Sequence, residues 1–141
     1  MGKTPKVLVI TGDCGMITGL AERRSQEVEI GFARNGYEAS AILCDFRPTF
    51  VLVDEDLLLA SEPGLTDYLG CDSRVQGVKL VLAARDPVPE IWRGNRHTHI
   101  AAIITKPVKI EMIEALARDW AVERISQEKL AETADLSAGV N

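Results

Sequence analysis

Cysteine is scarce. Cys14, Cys44 and Cys71 are an odd number with no CxxC pair, in a chain of 141 residues that can bury one sizeable core. This excludes a disulfide-stapled scaffold and points to a reducing, cytoplasmic setting. An excess of positive charge is also missing: the formal net charge is −5, so no basic field is present to hold a nucleic-acid backbone directly. Long hydrophobic runs are absent, which excludes a membrane-spanning segment. The opening Met-Gly-Lys-Thr-Pro-Lys runs straight into a short apolar stretch without the h-region of a secretory signal, so a cytoplasmic protein is expected. Gly2-Lys3-Thr4 has no strand or glycine before it and reads as a solvated terminus, not a phosphate-binding loop. Histidine is rare too, and the His97-Thr98-His99 pair has no further ligand nearby, so it reads as a solvated loop. No repeat or low-complexity stretch occurs, and 46% hydrophobic with 26% charged residues is ordinary globular composition.

What is present is a series of short apolar runs. Val7–Ile10, Phe50–Val53, Lys79–Ala84 and Ile100–Thr105 are aliphatic with almost no polar alternation, as parallel strands buried on both faces require. Val28–Ala33 is more polar and suits a strand nearer an edge. Helix-like stretches, Gly15–Gln26, Tyr37–Phe46 and Ile110–Ala131, alternate with them. Ile110, Ile113, Leu116, Ala117 and Trp120 form one stripe at helical spacing. Regular alternation of strand and helix predicts a doubly wound five-stranded parallel α/β sheet with helices on both faces and a long C-terminal helix. The stretch from Asp56 to Gly77 is harder to read, with a turn signal at Ser61–Gly64 and a short helix at Leu65–Leu69. Pro87–Arg96 gives at best a short, irregular helix. Within it Trp92 either lies on the surface or plugs the core beside Ile91. Cys14, near a helix start, is expected to be a buried or half-buried inert thiol, although a thiolate is favoured at such a place.

Open parallel sheets place function outside the carboxyl ends of their strands. Those ends read Thr11-Gly12-Asp13, Asp54-Glu55-Asp56, Ala83-Ala84-Arg85-Asp86 and Thr105-Lys106-Pro107. Asp54 offers a nucleophilic oxygen or a metal ligand, and Lys106 a point charge for a phosphoryl oxygen. The plainer reading is that Asp54 and Asp56 cap the following turn while Lys106 is solvated.

Val7–Ile10, Ala33–Ala39 (Ala-Arg-Asn-Gly-Tyr-Glu-Ala), Arg47–Asp54 (Arg-Pro-Thr-Phe-Val-Leu-Val-Asp) and Ile103–Pro107 (Ile-Ile-Thr-Lys-Pro) resemble, in order and close spacing, the receiver domains of bacterial response regulators. The similarity covers roughly residues 5 to 120. It implies the flavodoxin-like receiver fold over 5–122, followed by a helical extension and flexible tail over 123–141. It further implies a non-enzymatic module of two-component signalling, taking a phosphoryl group from a histidine kinase or phosphotransfer protein. Asp54 falls on the acceptor position and Lys106 on the lysine that contacts the phosphoryl group. Mg2+ would be held by Asp13, Asp54 and Asp56.

Several family positions are altered. The two adjacent acids after the first strand are matched by Thr11 and Gly12, leaving only Asp13. The hydroxyl residue of the fourth strand is matched by Ala83, the aromatic residue of the fifth by Ile103, and the proline four residues beyond the acceptor by Leu58. The resemblance therefore implies an atypical receiver with an impaired metal site. Two alternatives follow. One is a phosphorylation-independent interaction module, dimerising through the face between the fourth and last helices. The other is a Rossmann-like nucleotide-binding protein, for which Gly12, Gly15 and Gly19 give a spacing unlike the usual fingerprint.

Overall fold

The computed structural model describes residues 4–60, 78–92 and 100–120. Within them the order is β1 (Lys6–Ile10), α1 (Cys14–Glu22), β2 (Glu29–Ala33), α2 (Gly36–Phe46), β3 (Phe50–Asp54), α3 (Glu55–Ala60), β4 (Lys79–Ala84) and β5 (Ile100–Thr105). A last helix, α4, occupies 110–120. The strands form one sheet in the order β2-β1-β3-β4-β5, and every pair is parallel. The expected five-stranded doubly wound sheet is what the chain forms.

Period-two alternation sends successive side chains of each strand to opposite layers. Val7, Val9, Phe50, Leu52, Val81 and Ala83 pack with Leu20 of α1 and with Ile110, Ile113 and Ala117 of α4. The alternate residues Leu8, Ile10, Val51 and Val53 pack with Ala39 and Leu43 of α2. Both faces of β1 and β3 are thus filled, which is why those runs show no polar alternation. Phe50 meets Trp120 edge-on, with ring centroids 4.9 Å apart.

The helices start where side chains satisfy their free amides. Asp13 caps α1, and Asn35 caps α2 by accepting from the Glu38 amide at 2.9 Å. Glu38 returns the interaction by accepting from the Arg34 amide at 2.6 Å, a variant of the capping box. At the other end of α2, Arg47 adopts a left-handed conformation (φ 50°) just before Pro48, so the helix stops there.

Two expectations need adjusting, and one choice left open is resolved. Cys14 is exposed, not buried or half-buried. It is the first residue of α1, whose core contacts are made by Met16 and Leu20, and it lies roughly 160° round the helix from Met16 and about 120° from Leu20. Trp92 is buried and Ile91, beside it, is the exposed one, within a 3-10 turn at Glu90–Trp92. The run Ile100–Thr105 is an edge strand, and of its six residues only Ile104 is buried. Val28–Ala33, read as nearer an edge, does form the opposite edge strand. The expectations for Leu65–Leu69, His97, His99, Cys71 and 123–141 lie outside the described residues.

Candidate functional site

β2 and β3 flank β1 on opposite sides, so the connections leaving β1 and β3 diverge and open a crevice at their carboxyl ends. The ladders overrun the strands by one residue there. The Thr11 amide donates to the Ala33 carbonyl at 2.9 Å and the Lys106 amide to the Ala84 carbonyl at 2.8 Å. Thr11, Asp54 and Lys106 are therefore fixed by sheet hydrogen bonds, not by loop conformation.

Asp54 is buried, at 3% exposure, and both its oxygens are engaged. Oδ1 faces Lys106 Nζ at 2.5 Å and accepts from the Asp56 amide at 3.0 Å. Oδ2 accepts from the Thr11 hydroxyl at 2.7 Å. Lys106 also reaches Asp56 Oδ2 at 3.1 Å. Burial works against the lysine's charge, but the hydrogen bonds and charges of Asp54 and Asp56 outweigh it and hold its pKa above the ordinary value. Next to this cluster lies an open cleft of about 610 Å³, lined by Asp13, Arg85, Asp86 and Lys106 among others. Lys106 lines this cleft with its ammonium on Asp54 Oδ1, while Asp54 itself is buried.

Of the site residues expected from sequence, the fold brings Asp54, Asp56 and Lys106 into contact. Asp13 stays at the head of α1, where Oδ1 accepts from the amides of Gly15 at 2.9 Å and Met16 at 3.3 Å. The side chains present do not fit a divalent cation in this arrangement. Mg2+ requires several oxygen ligands in near-octahedral order. Here an ammonium and a hydroxyl already occupy Asp54, Asp13 serves its helix, and among the described residues no three His, Cys, Asp or Glu side chains cluster as a metal site.

Two features were not foreseen. Thr11 turns inward, where its hydroxyl donates to Asp54 and accepts from the Asp13 amide at 3.0 Å. A hydroxyl directly beyond the buried run Val7–Ile10 was the available signal. Glu55 is fully buried and accepts from the Arg85 amide at 2.8 Å and from the Trp92 indole at 2.7 Å. Nothing local marked that pair, since 37 residues separate its members.

No family model matches the chain, and no curated protein does. Solved structures do match. One is the receiver domain of an HD domain-containing protein from Pseudomonas fluorescens Pf-5, with TM-score 0.69 and 19% identity, over 92% of this chain and 94% of that one. Another is the receiver domain of a sensor histidine kinase from Pseudomonas aeruginosa PAO1, solved with magnesium in its active-site cleft. It has TM-score 0.67 and 14% identity, over 84% and 98% of the two chains. A chemotaxis response regulator of Vibrio cholerae matches at TM-score 0.64 and 16% identity, over 82% and 98%. The chain has the receiver fold. In this chain the crevice lies at the switch point beside Asp54 and Lys106. No helix among the described residues is long and apolar enough to cross a membrane.

Proposed function

We propose that this chain is a receiver module of cytoplasmic two-component signalling in which Asp54 is the phosphoryl acceptor. The observation that carries the reading is the contact of Lys106 Nζ with Asp54 Oδ1 at 2.5 Å, at the switch point of a receiver-fold sheet. An oxygen of Asp54 attacks the phosphorus of a phosphohistidine on a kinase or phosphotransfer protein. The P–N bond breaks and the imidazole leaves with its electron pair. Lys106 passes from the carboxylate to an oxygen of the transferred group, a compact charge able to follow it. The same lysine shields Asp54 beforehand, so its displacement is part of the barrier. With a hydroxyl at Thr11 where an acid would assist a cation, the transfer is slow.

A second reading, a phosphorylation-independent interaction module that pairs with a second copy beside its last helix, is favoured by one observation. Both oxygens of Asp54 are already satisfied within the protein. Incubation with a small phosphodonor and Mg2+, followed by intact-mass analysis, separates the two. A phosphoryl adduct that is lost in Asp54→Asn supports the switch. No adduct under forcing conditions supports the module.

A further inference from the structure

Glu55 has no part in the chemistry above, yet it is a fully buried acid directly after Asp54. Burying a carboxylate is costly unless it is hydrogen-bonded and paired. Both of its oxygens are met by a single segment. Oε1 accepts from the Arg85 amide at 2.8 Å, with Arg85 Nε at 3.9 Å, and Oε2 accepts from the Trp92 indole at 2.7 Å. Trp92 is itself buried against Leu82 and Ala84, so its polar edge needs such a partner. Glu55 thus ties the whole exit of β4, from Arg85 at the cleft to Trp92, to the first turn of α3.

That turn is in turn set by Asp54, whose Oδ1 accepts from the Asp56 amide at 3.0 Å. Any change in what Asp54 Oδ1 binds alters the hydrogen bond that orients the turn carrying Glu55. We infer that Glu55 is a positioning residue that passes the state of Asp54 to the segment 85–92. It supplies a link from site to surface where Ala83 and Ile103 offer neither a hydroxyl nor an aromatic ring. The inference rests on the reading that the partners of Asp54 change in use.

The test needs no phosphodonor. Full-length protein carrying 5-fluorotryptophan has two fluorine resonances, from Trp92 and Trp120, assigned with Trp120→Phe. Asp54→Asn and, separately, Lys106→Met are expected to move the Trp92 resonance and leave that of Trp120 in place. In a Glu55→Gln background the Trp92 response is lost. If Glu55→Gln does not fold, the Arg85 amide in a Trp92→Phe protein gives the second readout, because its own bond to Glu55 remains. It is expected to move with Asp54→Asn. A Trp92 resonance indifferent to both Asp54→Asn and Lys106→Met overturns the coupling, as does a response that survives Glu55→Gln unchanged. The acceptor reading fails separately. No phosphoryl adduct together with a moving Trp92 removes that reading and keeps the coupling, whereas an adduct with a silent Trp92 does the reverse.

Discussion

Lys106 faces two carboxylates, and its titration makes their balance measurable. Its pKa is raised because Asp54 and Asp56 outweigh the opposing effect of burial. A group whose pKa is higher folded than unfolded contributes stability that is complete below the unfolded value and disappears as pH climbs through the folded one. The stability difference between wild type and Lys106→Met is therefore expected to stay level up to the ordinary lysine value of 10.5 and to shrink above it, in urea titrations run at successive pH values. At neutral pH the loss is on the order of 2 kcal/mol, below that of a wholly buried pair because the lysine side chain keeps 21% exposure. A difference that stays constant through the alkaline range would rule this account out. Thr11 permits a complementary test. Thr11→Asp sets a second carboxylate against Asp54, so the protein should melt lower in chelator and recover with millimolar Mg2+, while wild type responds little to either. An equal Mg2+ gain in wild type would mean that the native side chains do bind the cation. The meeting of Asp54 and Lys106 was legible because strand ends are easy to find and the two charges are complementary. The role of Thr11 was not, since sequence shows that an acid is missing but not that a hydroxyl turns inward to Asp54 in its place.

Elements were readable where one strong local signal fixed them. The helix-like composition of Tyr37–Phe46 marks α2 to within a residue of its start, and the unbroken apolar runs mark β1 and β3. Where packing between distant segments decides, the sequence misled or left the outcome open. The outlook of Cys14 depends on which stripe of α1 meets the sheet, and buried Trp92 packs on Leu82 and Ala84 with its indole donating to Glu55, far away in sequence. Gly31 is a further case, invisible in sequence but plain in the fold. In β2 it faces the ring of Phe46 from α2, and a Cβ there would lie 3.1 Å from the ring. That distance is tighter than ordinary contact, so Gly31→Ala is expected to destabilise by about 1–3 kcal/mol through overpacking. The cost should fall in a Phe46→Leu background, since the two residues share one contact. Equal cost in both backgrounds, measured by chemical denaturation, would show that β2 tolerates a methyl group without involving α2.

At the scale of the whole molecule, the order β2-β1-β3-β4-β5 sets up a gradient of order from the middle of the sheet outward. All four residues Val7–Ile10 are fully buried, as are Phe50, Leu52 and Val53, and both strands pack on two layers. The edge strands differ: β2 buries only Ala33 and β5 only Ile104. Opening free energies track buried contacts and protected hydrogen bonds, so amides of β1 and β3 should exchange only through global unfolding, and those of β2 and β5 through smaller openings. The site residues are divided across this gradient. Thr11 and Asp54 extend the rigid centre, whereas Lys106 follows the edge strand β5, held to β4 by its own amide bond to Ala84. Local opening of β5 would withdraw the lysine from Asp54 without disturbing the carboxylate, which is the displacement that the proposed phosphoryl transfer needs. Native-state hydrogen exchange is expected to find β5 protection well below that of β3, and to find it lower still in Asp54→Asn, where the ammonium loses its strongest partner. Protection of β5 equal to that of β3, unchanged by Asp54→Asn, would mean that the lysine is held as rigidly as the strands beneath it. Its displacement would then have to come from side-chain rotation alone.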